Sequence, residues 1–267
     1  MPGRITVAGC GRMGLPMLRA LRAAGFDARG FDIRPPADLG AAPEEMIDAK
    51  TMLAETETLF SIVRDAAETE GLLFSDQRAL SAPRLRTLVI SSTLSPRLLP
   101  EIAARAPAGL ALVDAPMSGA QVAAEERRLS FMLGGESEAL ARLRPLFEAM
   151  GRNIHVMGGF GAGMTAKVLN NYVAGAAVAA TRQALEWADA TGMDRARLLA
   201  LMNDSSGQTW FGSNFDRIEF SRDGYSTDNT IGILQKDVAA ALDGAGAPED
   251  AVGQAVIARL RRLSPMI

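Results

Sequence analysis

Lys167 and Asn171 stand four residues apart in a stretch that reads as helix, so both side chains project from one face. An amine at such a place serves as a general base when a dry cleft beside a cofactor lowers its pKa towards neutrality. The amide of Asn171 can donate and accept, which suits it to hold a hydroxyl or a carbonyl. The same spacing also fits a snorkelling lysine beside a buried structural amide, and spacing alone does not separate the two. A second group is Gly9-Cys10-Gly11-Arg12-Met13-Gly14, which follows the apolar run Ile5–Ala8 and leads into a helical pattern. That context makes it a dinucleotide fingerprint. Gly9 allows the tight turn, Gly11 lets the backbone approach a pyrophosphate, and Gly14 lets helix pack on strand. Arg12 and Met13 complete the expected cofactor contacts of this loop. The phosphates would sit at the helix N-terminus, where N–H groups and the dipole favour anions. Asp32, 18 residues after Gly14, ends the next strand candidate. A carboxylate there accepts from both ribose hydroxyls of NAD and repels the 2′-phosphate of NADP. Arg34 works against that preference, and a plain turn before Pro35-Pro36 is the bland alternative.

These groups need elements to position them. Strand candidates are Arg4–Ala8, Ala28–Asp32, Thr58–Val63, Thr87–Ser91, Leu110–Asp114, Ser130–Leu133 and Ile154–Met157. Helical patterns at Met13–Ala24, Ala66–Leu73, Pro96–Ala106 and Ser137–Met150 lie between most of them. This alternation predicts an α/β fold of Rossmann type, with a doubly wound, mainly parallel sheet. The pattern changes near residue 162. Gly163–Thr191 contains no proline and reads as one helix of roughly 43 Å. Helical patterns follow at Arg195–Asn203, Thr209–Ile218, Ile231–Ala245 and Ala251–Leu263. The expected domains are therefore 1–162, binding the dinucleotide, and 163–267, all-helical, with Lys167 and Asn171 at the mouth of a cleft between them. Val63-Arg64 ends a parallel strand, where the ligand crevice opens, so both count as candidate cofactor contacts. Ser118-Gly119 follow a strand end and form a possible anion cradle.

Composition narrows the partners. The 267 residues carry a net charge of −3, which argues against nucleic acid and anionic membranes. No apolar run approaches the roughly 18 residues of a membrane span. The run Ile5–Cys10 is too short for a signal peptide. One cysteine and one histidine exclude an intramolecular disulfide and multi-Cys or multi-His metal sites, so no metal is expected. A reducing cytoplasm is the expected compartment. Cys10 reads as a small filler of the loop, His155 as a structural histidine, and Trp210 and Phe211 as core or interface residues. The long helix is apolar on too many faces for one small helical domain, which predicts a homodimer or higher oligomer.

Five motifs in order carry a family resemblance along nearly the whole chain. They are Gly9-Cys10-Gly11-Arg12-Met13-Gly14-Leu15-Pro16-Met17, Ser92-Thr93-Leu94-Ser95-Pro96, Asp114-Ala115-Pro116-Met117-Ser118-Gly119, Gly161 to Asn171, and Lys236-Asp237. Together they resemble the β-hydroxyacid dehydrogenases of the 3-hydroxyisobutyrate dehydrogenase group, within the 6-phosphogluconate dehydrogenase superfamily. The resemblance implies hydride transfer between NAD and a small β-hydroxyacid or its semialdehyde. It gives Lys167 the role of general acid and base and makes Asn171 the group that orients the substrate. Ser118 and Gly119 would hold the substrate carboxylate, Thr93 would lie beside the nicotinamide, and Lys236 would approach the cofactor. Imine or keto-acid reductases of the same superfamily and a non-catalytic NAD sensor are the competing readings; Lys167 speaks against the imine reductases, and retention of Lys167 and Asn171 together against the sensor. Three departures stand out. Ala120, Ala123 and Arg127 occupy places where relatives usually carry glycine, which bears on the substrate. Residues 34–57, with prolines at 35, 36 and 43, predict a shortened helix after the second strand. The chain also ends without the family's usual tail, which leaves closure and assembly open.

Overall fold

A computed structural model describes residues 3–266 and divides the chain into two compact units, Met1–Lys167 and Val168–Ile267. The division falls inside a helix, a few residues beyond the expected boundary.

The first unit is built on eight strands among the described residues: β1 Ile5–Ala8, β2 Ala28–Phe31, β3 Thr58–Ser61, β4 Thr87–Ile90, β5 Ala111–Asp114, β6 Met117–Ser118, β7 Leu129–Gly135 and β8 Gly151–Gly158. Its helices are α1 Gly14–Ala23, α2 Pro36–Leu39, α3 Ala49–Glu55, α4 Ala66–Glu70, α5 Leu98–Arg105, α6 Ala120–Glu125 and α7 Ser137–Met150. Strands run parallel in the order β2-β1-β3-β4-β5. Successive residues of the central strands enter opposite cores. Val7, Phe60 and Val89 join the cluster with α1 and α7, while Ala8, Leu59, Leu88 and Ile90 join the one with α3 and α5. Burial on both faces explains why these strands lack polar alternation. The chain order reverses at β1, so the phosphate loop after β1 opens into the crevice beyond the strand ends.

The region after β2 is cut down as expected. α2 has four residues, and the next strand is reduced to a parallel bridge between Gly30 and Met46, with Ile47 N–H donating to Gly30 O at 2.8 Å. β5 and β6 form one interrupted antiparallel arm against β7, broken by Ala115-Pro116 and held in register by Met132 N–H donating to Pro116 O at 3.0 Å. β8 pairs with β7 in parallel. Its residue His155 is exposed, so the expectation of a structural histidine is corrected to a surface one.

α8 Ala162–Ala190 carries the chain from the first unit into the second, which adds α9 Arg195–Asn203, α10 Trp210–Ser213, α11 Thr230–Gly244 and α12 Ala251–Arg261. α10 is shorter than the expected Thr209–Ile218. Asn214 donates its side-chain N–H back to Trp210 O at 2.9 Å, a bond that competes with helix continuation. Phe211 enters the core of this unit, while Trp210 is 71% exposed. Arg182, fully buried on α8, donates to Ser221 O, Asp223 O and Ser264 O and thereby ties two distant segments to the helix. No helix among the described residues is long and apolar enough to cross a membrane.

Candidate active site

The phosphate loop takes its shape from a close approach. A Cβ on Gly14 would stand 1.9 Å from Gly9 O, so the start of α1 can lie on the turn only without a side chain. A Cβ on Gly11, by contrast, meets nothing nearer than Arg34 Nη2 at 3.5 Å, which leaves backbone open towards the crevice. Met13 supplies no side-chain cap to α1 and its first turn holds no acid, so this helix start keeps its anion-binding character. An open groove of about 570 Å³ runs past Gly11, Arg12, Pro16, Arg34, Gln121 and Arg127. A dinucleotide's pyrophosphate fits this cradle of open backbone, uncapped helix and arginines. Cys10 is fully buried in the loop, and burial together with the nearby Asp32 carboxylate pushes its thiol up to about 12, so it stays protonated and inert.

Asp32 follows β2, as expected, but its carboxylate is clamped. Oδ1 accepts from Arg34 N–H and Nε at 3.0 Å each, and Oδ2 accepts from Cys10 N–H at 2.9 Å and Arg34 Nη2 at 3.0 Å. Burial alone would raise this carboxyl, but the Arg34 and Cys10 hydrogen bonds outweigh it and hold it below its ordinary value. Val63 is half-buried past the end of β3. Arg64 is exposed and engaged by Glu68, with Nη2 3.1 Å from Oε1. Thr93 lies half-buried in the loop after β4.

Ser118 is half-buried on β6 opposite Ser130, and Gly119 opens α6 at φ +136°. Beyond it, Ala120 sits at φ +53° and Arg127 at φ +54°, both in the left-handed region and both at places where the resemblance expects glycine. A Cβ there costs roughly 1–2 kcal/mol. Ala120→Gly and Arg127→Gly should therefore each stabilise the protein by about 1 kcal/mol, after the added freedom of the unfolded glycine is subtracted. A urea midpoint that fell in both variants would contradict this account.

Asp114 is the residue that sequence reading quoted without giving a role. It is wholly buried at the end of β5, four residues before Ser118. Its Oδ1 accepts from Gly161 N–H at 2.6 Å, its Oδ2 from Met164 N–H, and Gly163 N–H also donates to it. A Cβ on Gly134 would lie 2.2 Å from Oδ1 and one on Gly163 2.9 Å from Oδ2, so glycines make room for the carboxylate. Burial pushes the carboxyl up, and the three amides pull it part of the way back. Asp114 thus caps the helix that carries Lys167, although it lies 47 residues before Gly161. The glycines at 161 and 163 beside an acid at a strand end were the available signal. The separation of 47 residues between Asp114 and Gly161 is closed only by the fold.

Lys167 and Asn171 are both buried, at 7% exposure each, one turn apart on α8. Lys167 closes the first unit, and Asn171 belongs to the second. Within the second unit Asn171 Nδ2 donates to Asp237 Oδ2 at 2.6 Å, and Lys236 Nζ lies 3.2 Å from Asp237 Oδ1. The fold therefore joins Asn171 and Lys236, far apart in sequence, through one carboxylate.

Residues 4–159 match the family described as the NAD binding domain of 6-phosphogluconate dehydrogenase. Residues 161–258 match the NAD-binding family of NADP-dependent 3-hydroxyisobutyrate dehydrogenase. A 3-hydroxyisobutyrate dehydrogenase of Pseudomonas aeruginosa is 34% identical, over 96% of this chain and 89% of its own length. The NAD-dependent L-serine dehydrogenase of the same organism is 37% identical, over 78% of this chain and 71% of its own length. Among solved structures, 3-hydroxyisobutyrate dehydrogenase of Mycobacterium tuberculosis with L-serine superposes with a TM-score of 0.81. It is 26% identical and covers 99% of this chain and 97% of the other.

Proposed function

The chain belongs to the β-hydroxyacid dehydrogenase family, and from that premise we propose that it oxidises a small 3-hydroxyisobutyrate-like acid with NAD, or reduces the matching semialdehyde. The coarser statement stands on the family itself: this is a nicotinamide-dependent dehydrogenase acting on a CH–OH group. The observation that carries the proposal is the burial of Lys167 one helical turn before a buried Asn171.

When bound, the nicotinamide supplies the hydride acceptor or donor. The residues of the chain do the rest. Gly11 and the first turn of α1 hold the pyrophosphate, with Arg12 and Met13 beside it. By the family resemblance Thr93 would lie beside the nicotinamide and Lys236 would approach the cofactor; Val63, past a strand end, would touch it. Ser118 and Gly119 bind the substrate carboxylate, Asn171 fixes the reacting oxygen, and Lys167 takes its proton on oxidation and returns it on reduction.

Asp32 selects NAD once Arg34 turns aside from it. The ribose hydroxyls then replace the arginine, whereas a 2′-phosphate meets the carboxylate. A panel of hydroxyacids, including 3-hydroxyisobutyrate and L-serine, tested with NAD and NADP by absorbance of the reduced cofactor checks substrate and cofactor together. NAD should be preferred. Asp32→Ala should narrow that preference, and Arg34→Ala should widen it by removing the charge that offsets Asp32. Equal use of NADP by the wild type, or no turnover with any hydroxyacid, would count against the proposal.

The same reading includes a homodimer or higher oligomer formed through the second unit. Leu169, Val173 and Trp187 lie on one face of α8 and are 52%, 65% and 65% exposed. Light scattering should give at least twice the chain mass; a monomer at micromolar concentration would be the contrary result.

A further inference from the structure

Asp237 is 1% exposed on α11; Oδ2 accepts from Asn171 Nδ2 at 2.6 Å, and Oδ1 lies 3.2 Å from Lys236 Nζ, an ion pair without hydrogen-bond geometry. A carboxylate only accepts, so the Asn171 amide must turn its NH2 end towards it. The other end of that amide is also placed, because Asn171 Oδ1 accepts from Asn170 Nδ2 at 3.1 Å. Asn171 keeps its second N–H to donate, besides the second lone pair of Oδ1.

Resting on the dehydrogenase reading above, we infer that Asp237 is a positioning residue: it locks the Asn171 amide so that Asn171 presents a donor, not an acceptor, to the substrate oxygen. The orientation matters for the proton. A donated N–H holds the hydroxyl oxygen and leaves its O–H free to point at Lys167. An inverted amide would accept that O–H and compete with the lysine. In the reducing direction the same N–H polarises the carbonyl. Through its second oxygen Asp237 also restrains Lys236, so one buried carboxylate sets a substrate-orienting group and a cofactor-facing group together.

The test is a swap, read against an active wild type. Asp237→Asn keeps the volume but lets the 237 amide donate to Asn171 Oδ1, which allows inversion. kcat should fall by about 10–100-fold, the loss of one oriented hydrogen bond, while KM and NAD affinity move little. Adding Asn171→Asp to make the swapped pair restores a hydrogen bond between the two positions. The unfolding midpoint should then recover, but turnover should not, because a carboxylate at position 171 has no N–H to offer. A merely structural role of Asp237 predicts lost stability with wild-type kcat per folded enzyme in Asp237→Asn, and that outcome would overturn the inference. If Asp237→Asn does not fold, Asp237→Ser replaces it: its folded fraction should lose kcat likewise, and wild-type kcat there would overturn the inference. A wild type that turns over no hydroxyacid marks failure of the functional reading instead, a result distinct from either outcome of the swap.

Discussion

Lys167→Met should fold, bind NAD and lose about 10²–10⁴-fold in kcat, the range that general acid–base catalysis contributes. Methionine keeps much of the length and the buried apolar stem of lysine and removes only the proton carrier. The position is 7% exposed, so solvent is poorly placed to substitute for the amine. The pH profiles give an independent reading. Oxidation needs the neutral amine, so its rate should rise with pH through the lysine's ionisation. Reduction needs the ammonium, so its rate should fall over the same interval. Both limbs should vanish in the variant. Wild-type turnover by a folded, NAD-binding Lys167→Met would show that another group carries the proton.

Asp114→Ala should cost about 3 kcal/mol or more of unfolding free energy, measured by urea titration. It strands the amides of Gly161, Gly163 and Met164, and each buried orphan donor costs about 1–3 kcal/mol. Asp114→Asn should recover part of this, because one oxygen still accepts while the NH2 faces donors. Activity should fall further than stability alone explains. Asp114 fixes the helix start three residues before Lys167, and its own strand runs on towards Ser118. A shift of about 1 Å between such groups is enough to lose 10²-fold in rate. Unchanged stability in Asp114→Ala would mean that water replaces the carboxylate.

The layered sheet was legible because its signals are local. Runs such as Leu88-Val89-Ile90 are apolar on both faces, and Gly9 to Gly14 carry their own turn chemistry. Helix α7 falls on the residues expected from its period. The short elements were not legible. α3 and α6 have seven and six residues, too few for a period to emerge, and β6 has two. The site was legible in its residue types and not in its partnerships. The Arg34 contacts of Asp32 were not foreseen. Nor was the ion pair of Arg64 with Glu68. Asp114 and Asp237 act on partners 47 and 66 residues away, a separation at which sequence carries no geometry.

The two helix starts of the first unit should behave oppositely in hydrogen–deuterium exchange. Amides in the first turn of a helix have no intrahelical acceptor and ordinarily exchange quickly. At α1 Met13 offers no side-chain cap, so the loop amides of residues 11–13 should exchange quickly until an anion engages them. At α8 the amides of Gly161, Gly163 and Met164 are tied to a carboxylate anchored in the sheet, so they can exchange only when that part of the unit opens. Labelling at the first site therefore reports occupancy, and labelling at the second reports integrity of the scaffold. One experiment with and without NAD would separate a variant that has lost its ligand from one that has lost its frame.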